Sequence, residues 1–285
     1  MLNDFDYIQP ESLSELLKVM ENNPRATLLA GGTDLIVDLK EQGTAPEVMV
    51  DIKHIPALDR LEEENGELFI GAAVTCSQFL RASELAQKYK LVREAVSVLG
   101  SHQIRNRATL VGNICTSSPG ADIPLPMLVL GASVDIAGPE GERQVDLEDF
   151  FTGVKTNVLD DDEIVVGVRV KSPAGDGRGR YRRKTRTEGP DLSACGVAGY
   201  MSEEEEILNF AFGAVAPTPV VVKAGELIFE RNLSLKEAEE ELLDRVSESV
   251  RPITDVRSTA AHRSRIVRTY TGRILQELWK EGEQA

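Results

Sequence analysis

An α+β chain of two unequal domains is the architecture this 285-residue sequence predicts. Three observations carry it. Residues 1–55 read as strand, helix, strand, strand, a small unit with a parallel component. Residues 56–176 are mostly strand with helices inserted. The turn-rich Ser172-Pro173-Ala174-Gly175-Asp176-Gly177 then breaks the pattern, and 177–285 reads as a small sheet with helices. The first domain is thus 1–176, with subdomains of about 1–55 and 56–176, and the second is 177–285.

Taken in order, Phe5 to Ile8 is a short strand. Ser12-Leu13-Ser14-Glu15 is a capping box opening a helix with Leu13, Leu16, Leu17 and Met20 at helical spacing, stopped at Asn22-Asn23-Pro24. Thr27 to Leu29 and Val48 to Ile52 are strands. Leu68 to Ala72 is another, and Thr75 to Gln78 caps a helix. Leu91, Val92, Ala95, Val96 and Leu99 form an apolar helical face closed by Gly100. Ser133 to Ile136 and Glu163 to Val170 are strands with a Pro-Glu-Gly turn between them. Gly175 to Gly179 reads as a mobile loop. Cys195–Met201 and Ile207–Ala216 form a hairpin with Glu203 to Glu206 at its solvated tip. Helices follow through Leu242, Leu243 and Val246, and from Ile266 to Leu278.

Two glycine segments stand out. In the first, Thr27-Leu28-Leu29-Ala30-Gly31-Gly32-Thr33-Asp34-Leu35, a strand ends in residues that turn sharply and let a ligand approach the backbone. Successive N–H groups in such a turn make a nest suited to phosphate. The second is Ala108 to Thr116, around Gly112. Either the two grip one dinucleotide, or each is an ordinary strand-end turn. No G-x-G-x-x-G between strand and helix, no P-loop lysine, no G-x-S-x-G and no H-E-x-x-H accompanies them.

Composition narrows the field. Lys+Arg 32 against Asp+Glu 47 gives −15, a field that repels nucleic acid and anionic membranes. A pyrophosphate would have to be held by local N–H dipoles. No apolar run reaches membrane-spanning length, and the N-terminus lacks signal-peptide character, which predicts a cytoplasmic protein. Cys76, Cys115 and Cys195 are scattered, and His54, His102 and His262 are isolated, so neither a disulfide framework nor a metal site is expected.

The chain resembles the FAD-binding medium subunits of the molybdenum hydroxylases. Leu29 to Asp34 looks like that family's first FAD segment, and Ile104 to Ile114 is similar to its R-N-x-x-T-x-G-G-N segment. Ser118 to Asp122 and Ala214 to Pro219 match its S-P-small-small-D and A-P-T-P stretches. The resemblance implies a two-subdomain FAD domain of the vanillyl-alcohol-oxidase and para-cresol-methylhydroxylase type, followed by a smaller α+β domain. It implies that Leu28, Leu29, Ala30, Gly31, Gly32, Thr33 and Asp34 form one side of the pyrophosphate site, with Thr109, Gly112, Asn113 and Thr116 on the other. Asp122 would accept from the adenosine ribose, or else cap the helix that follows. Ile164 would pack near the adenine, or else is a plain core residue.

Arg183 aligns where the family carries a lysine near the flavin ring, with Lys184 facing the other way; the alternative is that the basic run 178–186 docks an acidic partner. Val111 departs from the family glycine, and a β-branched residue is strained there if φ is positive. With no histidine or cysteine in either glycine segment, FAD should be non-covalent. The resemblance further implies molybdopterin on a large partner subunit, [2Fe-2S] clusters on a small one, NAD or another acceptor, and no catalytic or metal-binding residue on this chain. The rival readings are a self-contained flavin oxidase and a non-catalytic nucleotide-binding or assembly protein.

Overall fold

A computed structural model describes residues 4–283; the Met1–Asn3 start, read above for targeting, lies outside them. The first subdomain is a parallel sheet of β1 (Asp6–Ile8), β2 (Thr27–Leu29) and β3 (Val48–Asp51), in the order β1-β3-β2. Parallel neighbours need crossovers. These are supplied by α1 (Leu13–Asn22) and α2 (Leu35–Gln42). Ser12 Oγ accepts the Glu15 N–H, while the Glu15 carboxylate takes the N–H of Glu11 rather than that of Ser12. All four residues of β3 are buried, whereas β2 and α2 bury no residue fully.

The second subdomain is an antiparallel sheet. Its strands are β4 (Leu61–Glu64), β5 (Glu67–Gly71), β6 (Ser133–Gly138), β7 (Gly141–Asp146) and, after the short hairpin of β8 (Phe151–Gly153) and β9 (Thr156–Asn157), β10 (Ile164–Lys171). Their order is β4-β5-β10-β6-β7. The Pro139-Glu140-Gly141 turn therefore joins β6 to β7, not directly to β10. Between β5 and β6 the chain runs through α3 (Cys76–Arg81), α4 (Ser83–Lys88), α5 (Lys90–Val98), α6 (His102–Arg105), α7 (Leu110–Cys115) and α8 (Pro124–Val129); α9 (Leu147–Phe150) follows β7. Thr75 and Gln78 form a reciprocal capping box. Leu91, Val92, Ala95 and Val96 of α5 are buried, as their spacing predicts.

The C-terminal unit is an antiparallel meander of β11 (Arg178–Lys184), β12 (Cys195–Ser202), β13 (Ile207–Gly213) and β14 (Val220–Lys223), with α10 (Gly225–Phe229), α11 (Leu235–Ser249) and α12 (Ala260–Gly282). Every residue of β12 is buried. Alternation splits its faces. Ala198 and Tyr200 join the core of the first domain, while Cys195, Val197 and Met201 pack with α11 and α12. The chain is thus two α+β subdomains followed by a smaller α+β unit packed against them.

Two local expectations are corrected. The Gly175–Gly179 stretch is held, not loose. The Asp176 carboxylate accepts from Ser202 Oγ at 2.7 Å and from the Glu203 and Glu204 N–H groups at 2.6 and 3.1 Å, and Gly179 pairs with Tyr200 inside the sheet. The basic run is not a free docking patch either. Arg178 pairs with Glu203, Arg180 with Glu281, Arg182 with Glu277, Arg183 with Asp122 and Arg186 with Asp191. Strand β11 aims Arg178, Arg180, Arg182 and Arg183 at partners the sequence places far away, while Arg186 lies beyond the strand and pairs five residues on.

Candidate functional site

The first glycine segment leaves β2 at Leu29 and enters α2 at Leu35. Gly32 has φ +72°, where a side chain is strained, and a Cβ there would also lie 2.8 Å from Leu29 Cδ1. At Gly31 a Cβ would lie 2.4 Å from the Arg107 carbonyl oxygen and 2.9 Å from Ala108 Cα. The two glycine segments therefore meet backbone to backbone, and Gly31 makes that approach possible. Beyond it, the N–H groups of Gly31, Gly32, Thr33 and Asp34 make no hydrogen bond among the described residues, while those of Ile36 and Asp38 bond to Gly32 and Asp34 carbonyls. Ala30 to Thr33 are half-buried and open to one side. Leu28 and Leu29 lie beneath them, also half-buried. The Asp34 side chain caps nothing, and partial desolvation, then the Asp38 carboxylate, push its carboxyl up.

Behind the turn stands a cation. Lys53 Nζ donates to the Ala30 carbonyl at 3.1 Å and pairs with the Asp51 carboxylate at 2.6 Å. Tyr7 donates its hydroxyl to the other Asp51 oxygen. Burial alone would raise the Asp51 carboxyl, but hydrogen bonds from Lys53 and Tyr7 hold it below the usual range. Lys53 carries no sequence signal that ties it to a residue in another strand.

The second segment is not a turn. Thr109 is the extended N-cap of α7, and its Oγ1 accepts the Gly112 N–H at 3.0 Å. A Cβ on Gly112 would lie 2.5 Å from that oxygen, so this glycine serves the cap. Val111 is helical and buried, so the positive φ on which strain there depended is not adopted. Asn113 Oδ1 accepts the Ile123 N–H at 3.3 Å, and Thr116 Oγ1 donates to the Gly112 carbonyl. The left-handed residue of this region is Ser117, φ +48°, which the sequence did not signal.

Asp122 sits elsewhere, at the junction with the C-terminal unit. It is buried and does not cap α8, whose N-cap is Ile123. Its Oδ1 accepts from Tyr181 and Ser193 hydroxyls, both at 2.5 Å, and its Oδ2 from Arg183 at 2.8 Å. Burial, and then the Asp122 charge, raise the Tyr181 hydroxyl well above its ordinary value. Ile164 is a buried residue of β10 paired with Ala137. Lys184 is exposed and forms no ion pair among the described residues. The structure thus joins Gly31 to the Arg107–Ala108 backbone just ahead of Thr109, and Asp122 to Arg183.

Hollows of about 470 Å³, beside Arg178, Phe229 and Trp279, and about 460 Å³, beside Arg60, Phe69 and Arg169, contain none of the predicted site residues. The three thiols are pushed up to about 12 by burial and offer no nucleophile. No group of metal-ligating side chains occurs among the described residues. What remains is an anion cradle: four adjacent N–H groups without a partner among the described residues, a turn whose glycines let it pack closely on the Arg107–Ala108 backbone and Leu29, and the Lys53 ammonium behind it. That donor set fits the pyrophosphate of a dinucleotide.

Fold and cradle together are those of a two-subdomain chain suited to binding a dinucleotide. Residues 3–173 match the family of FAD-binding domains in molybdopterin dehydrogenases, and residues 180–278 the C-terminal domain of carbon monoxide dehydrogenase flavoproteins. The xanthine dehydrogenase FAD-binding subunit of Escherichia coli O157:H7 is 30% identical over 97% of both chains. The carbon monoxide dehydrogenase medium chain of Hydrogenophaga pseudoflava is 28% identical, covering 96% of this chain and 97% of that one. The solved carbon monoxide dehydrogenase of the same organism superposes with TM-score 0.89 over 99% of both chains. The chain belongs to the FAD-binding subunits of the molybdenum hydroxylase family, and is a flavin-dependent oxidoreductase subunit. No helix of the described residues is long and apolar enough to cross a membrane.

Proposed function

We propose that this chain is the electron-transfer subunit of a multi-subunit molybdenum hydroxylase. A large partner subunit carries molybdopterin and oxidises the organic substrate, and a small one carries [2Fe-2S] clusters. NAD or another acceptor receives the electrons. FAD, held without a covalent bond, supplies the exchange between one-electron and two-electron transfer. The chain's own residues bind and orient it. Gly31, Gly32, Thr33 and Asp34 present N–H groups to the pyrophosphate, and Asn113 and Thr116 border it from the other segment. Asp122 and Ile164 serve the adenosine end of the cofactor, and either Arg183 or Lys184 the flavin end. We divide the chain into a FAD domain, 1–176, and a C-terminal domain, 177–285, and infer a cytoplasmic location.

The observation that supports the reading best is the run of four unpaired N–H groups on Gly31–Asp34 beside the Arg107–Ala108 backbone. The test is the purified full-length chain. It should hold a single FAD, release it intact on acid or heat treatment, and accept electrons from an artificial donor. It should oxidise no purine, aldehyde or carbon monoxide alone. Flavin retained on the denatured polypeptide rejects the non-covalent claim. Turnover of an organic substrate by the lone chain favours a self-contained flavin oxidase. Colourless protein that takes up no FAD favours a non-catalytic nucleotide-binding or assembly role.

A further inference from the structure

Lys53 is the one feature of the cradle that neither the glycine pattern nor the family resemblance identifies. Resting on the FAD-binding reading above, we propose that Lys53 is a positioning residue for the pyrophosphate: held by Asp51, it fixes the Ala30 carbonyl and thereby aims the first N–H of the cradle outward.

A trans peptide is planar, and its C=O and N–H point in opposite directions. The Ala30 carbonyl and the Gly31 N–H belong to one such peptide. Lys53 Nζ takes that carbonyl at 3.1 Å on the inner side of the turn. The Gly31 N–H must then face the other way, and it has no partner among the described residues. Gly31 is also the residue whose missing Cβ admits the Arg107 carbonyl at close range. A flip of this peptide would therefore disturb both the anion donors and the contact between the two segments.

Lys53 is well placed to prevent that flip. Its ammonium has three protons. One goes to Asp51 Oδ1 at 2.6 Å and one to Ala30. Asp51 is itself fixed: its residue is 3% exposed, its Oδ1 also accepts the Lys53 N–H at 3.0 Å, and its Oδ2 accepts from Tyr7. The side chain of Lys53 is 21% exposed, so the charge is only partly screened by water. Asp51 balances that charge at 2.6 Å, so Lys53 acts by holding the peptide and not by adding net charge.

The test compares Lys53→Met and Lys53→Arg in the full-length chain. FAD affinity is measured by flavin fluorescence at low and high KCl, with melting of the FAD-free protein as a separate readout. Inorganic pyrophosphate serves as competitor. Because Lys53→Met strands the Asp51 carboxylate, a Lys53→Met/Asp51→Asn double variant is measured alongside. Loss of a hydrogen bond from a charged donor should weaken FAD and pyrophosphate binding by about ten-fold. In Lys53→Met the salt dependence should shrink, the FAD-free double variant should melt no lower than Asp51→Asn alone, and Lys53→Arg should recover most of the affinity. Unchanged FAD affinity in both methionine variants, with the wild type binding normally, overturns the Lys53 role alone. Affinity that falls only in step with melting, without recovery by arginine, overturns it as well. A wild-type chain that binds no FAD overturns the functional reading on which it rests.

Discussion

Arg183 donates to the Asp122 carboxylate at 2.8 Å across the junction between the FAD domain and the C-terminal unit. Tyr181 and Ser193 occupy the other oxygen of the same carboxylate, so one acid of the first domain receives three donors from the second. Burial makes the arrangement stringent, because a removed partner leaves the others desolvated and unsatisfied.

Asp122→Ala should therefore destabilise the chain by about 3 kcal/mol, the usual cost of stranding a buried charge partner. Urea unfolding measures it. Tyr181→Phe removes a single hydrogen bond and should cost about 1 kcal/mol. Equal costs for the two variants would mean that the carboxylate is not the hub.

Gly32 and Gly43 offer a matched pair, since φ is +72° at one and +66° at the other. Alanine at either should cost about 1–2 kcal/mol of left-handed strain. Nothing lies within 4 Å of a Cβ at Gly43, whereas Gly32 belongs to the cradle. Only Gly32→Ala should also lower FAD occupancy, read as the ratio of flavin to protein absorbance.

Val111→Gly tests the helical assignment of the second segment. A buried valine in a right-handed turn loses packing and helix propensity on becoming glycine, about 3 kcal/mol together. A glycine variant that melts at or above the wild type would restore the idea of strain at this position.

The Asp51 carboxyl is depressed in the folded state, so its contribution is present above the unfolded value of about 3.9 and lost as pH falls through the lower folded value. Asp51→Asn should melt below the wild type at pH 6. The gap should close progressively below about pH 4. A gap that stays constant to the acid limit would show that the carboxylate charge is not what stabilises this corner.

Much of this was legible in the chain itself. The amphipathic helices α1, α5 and α11 follow from apolar spacing, and α1 and α11 also from their Ser caps, because burial of one face dictates the pattern. Strands β4 and β7 escaped because their residues are charged: Leu61-Glu62-Glu63-Glu64 and Gly141 to Asp146 lie on the two edges of their sheet, where no apolar alternation is required. Both glycine segments were located, but not their conformations. Gly112 serves the Thr109 cap and Gly31 a backbone crossing, and neither use leaves a mark that differs from a ligand-binding glycine. Lys53 and the partners of Asp122 were invisible for another reason. They act on residues of other elements, and no periodicity encodes that meeting.

The doubly covered strand β12 has a consequence for how the molecule comes apart. One face belongs to the core around α5 and α8 and the other to the core around α11 and α12, so neither core is complete while the other is open. The chain divides into two family segments in sequence, yet its melting should be coupled as a single transition. A protease that cut within the exposed residues 186–190 would leave two fragments still clasped through that strand, and the nicked protein would migrate as one particle until denaturant released it.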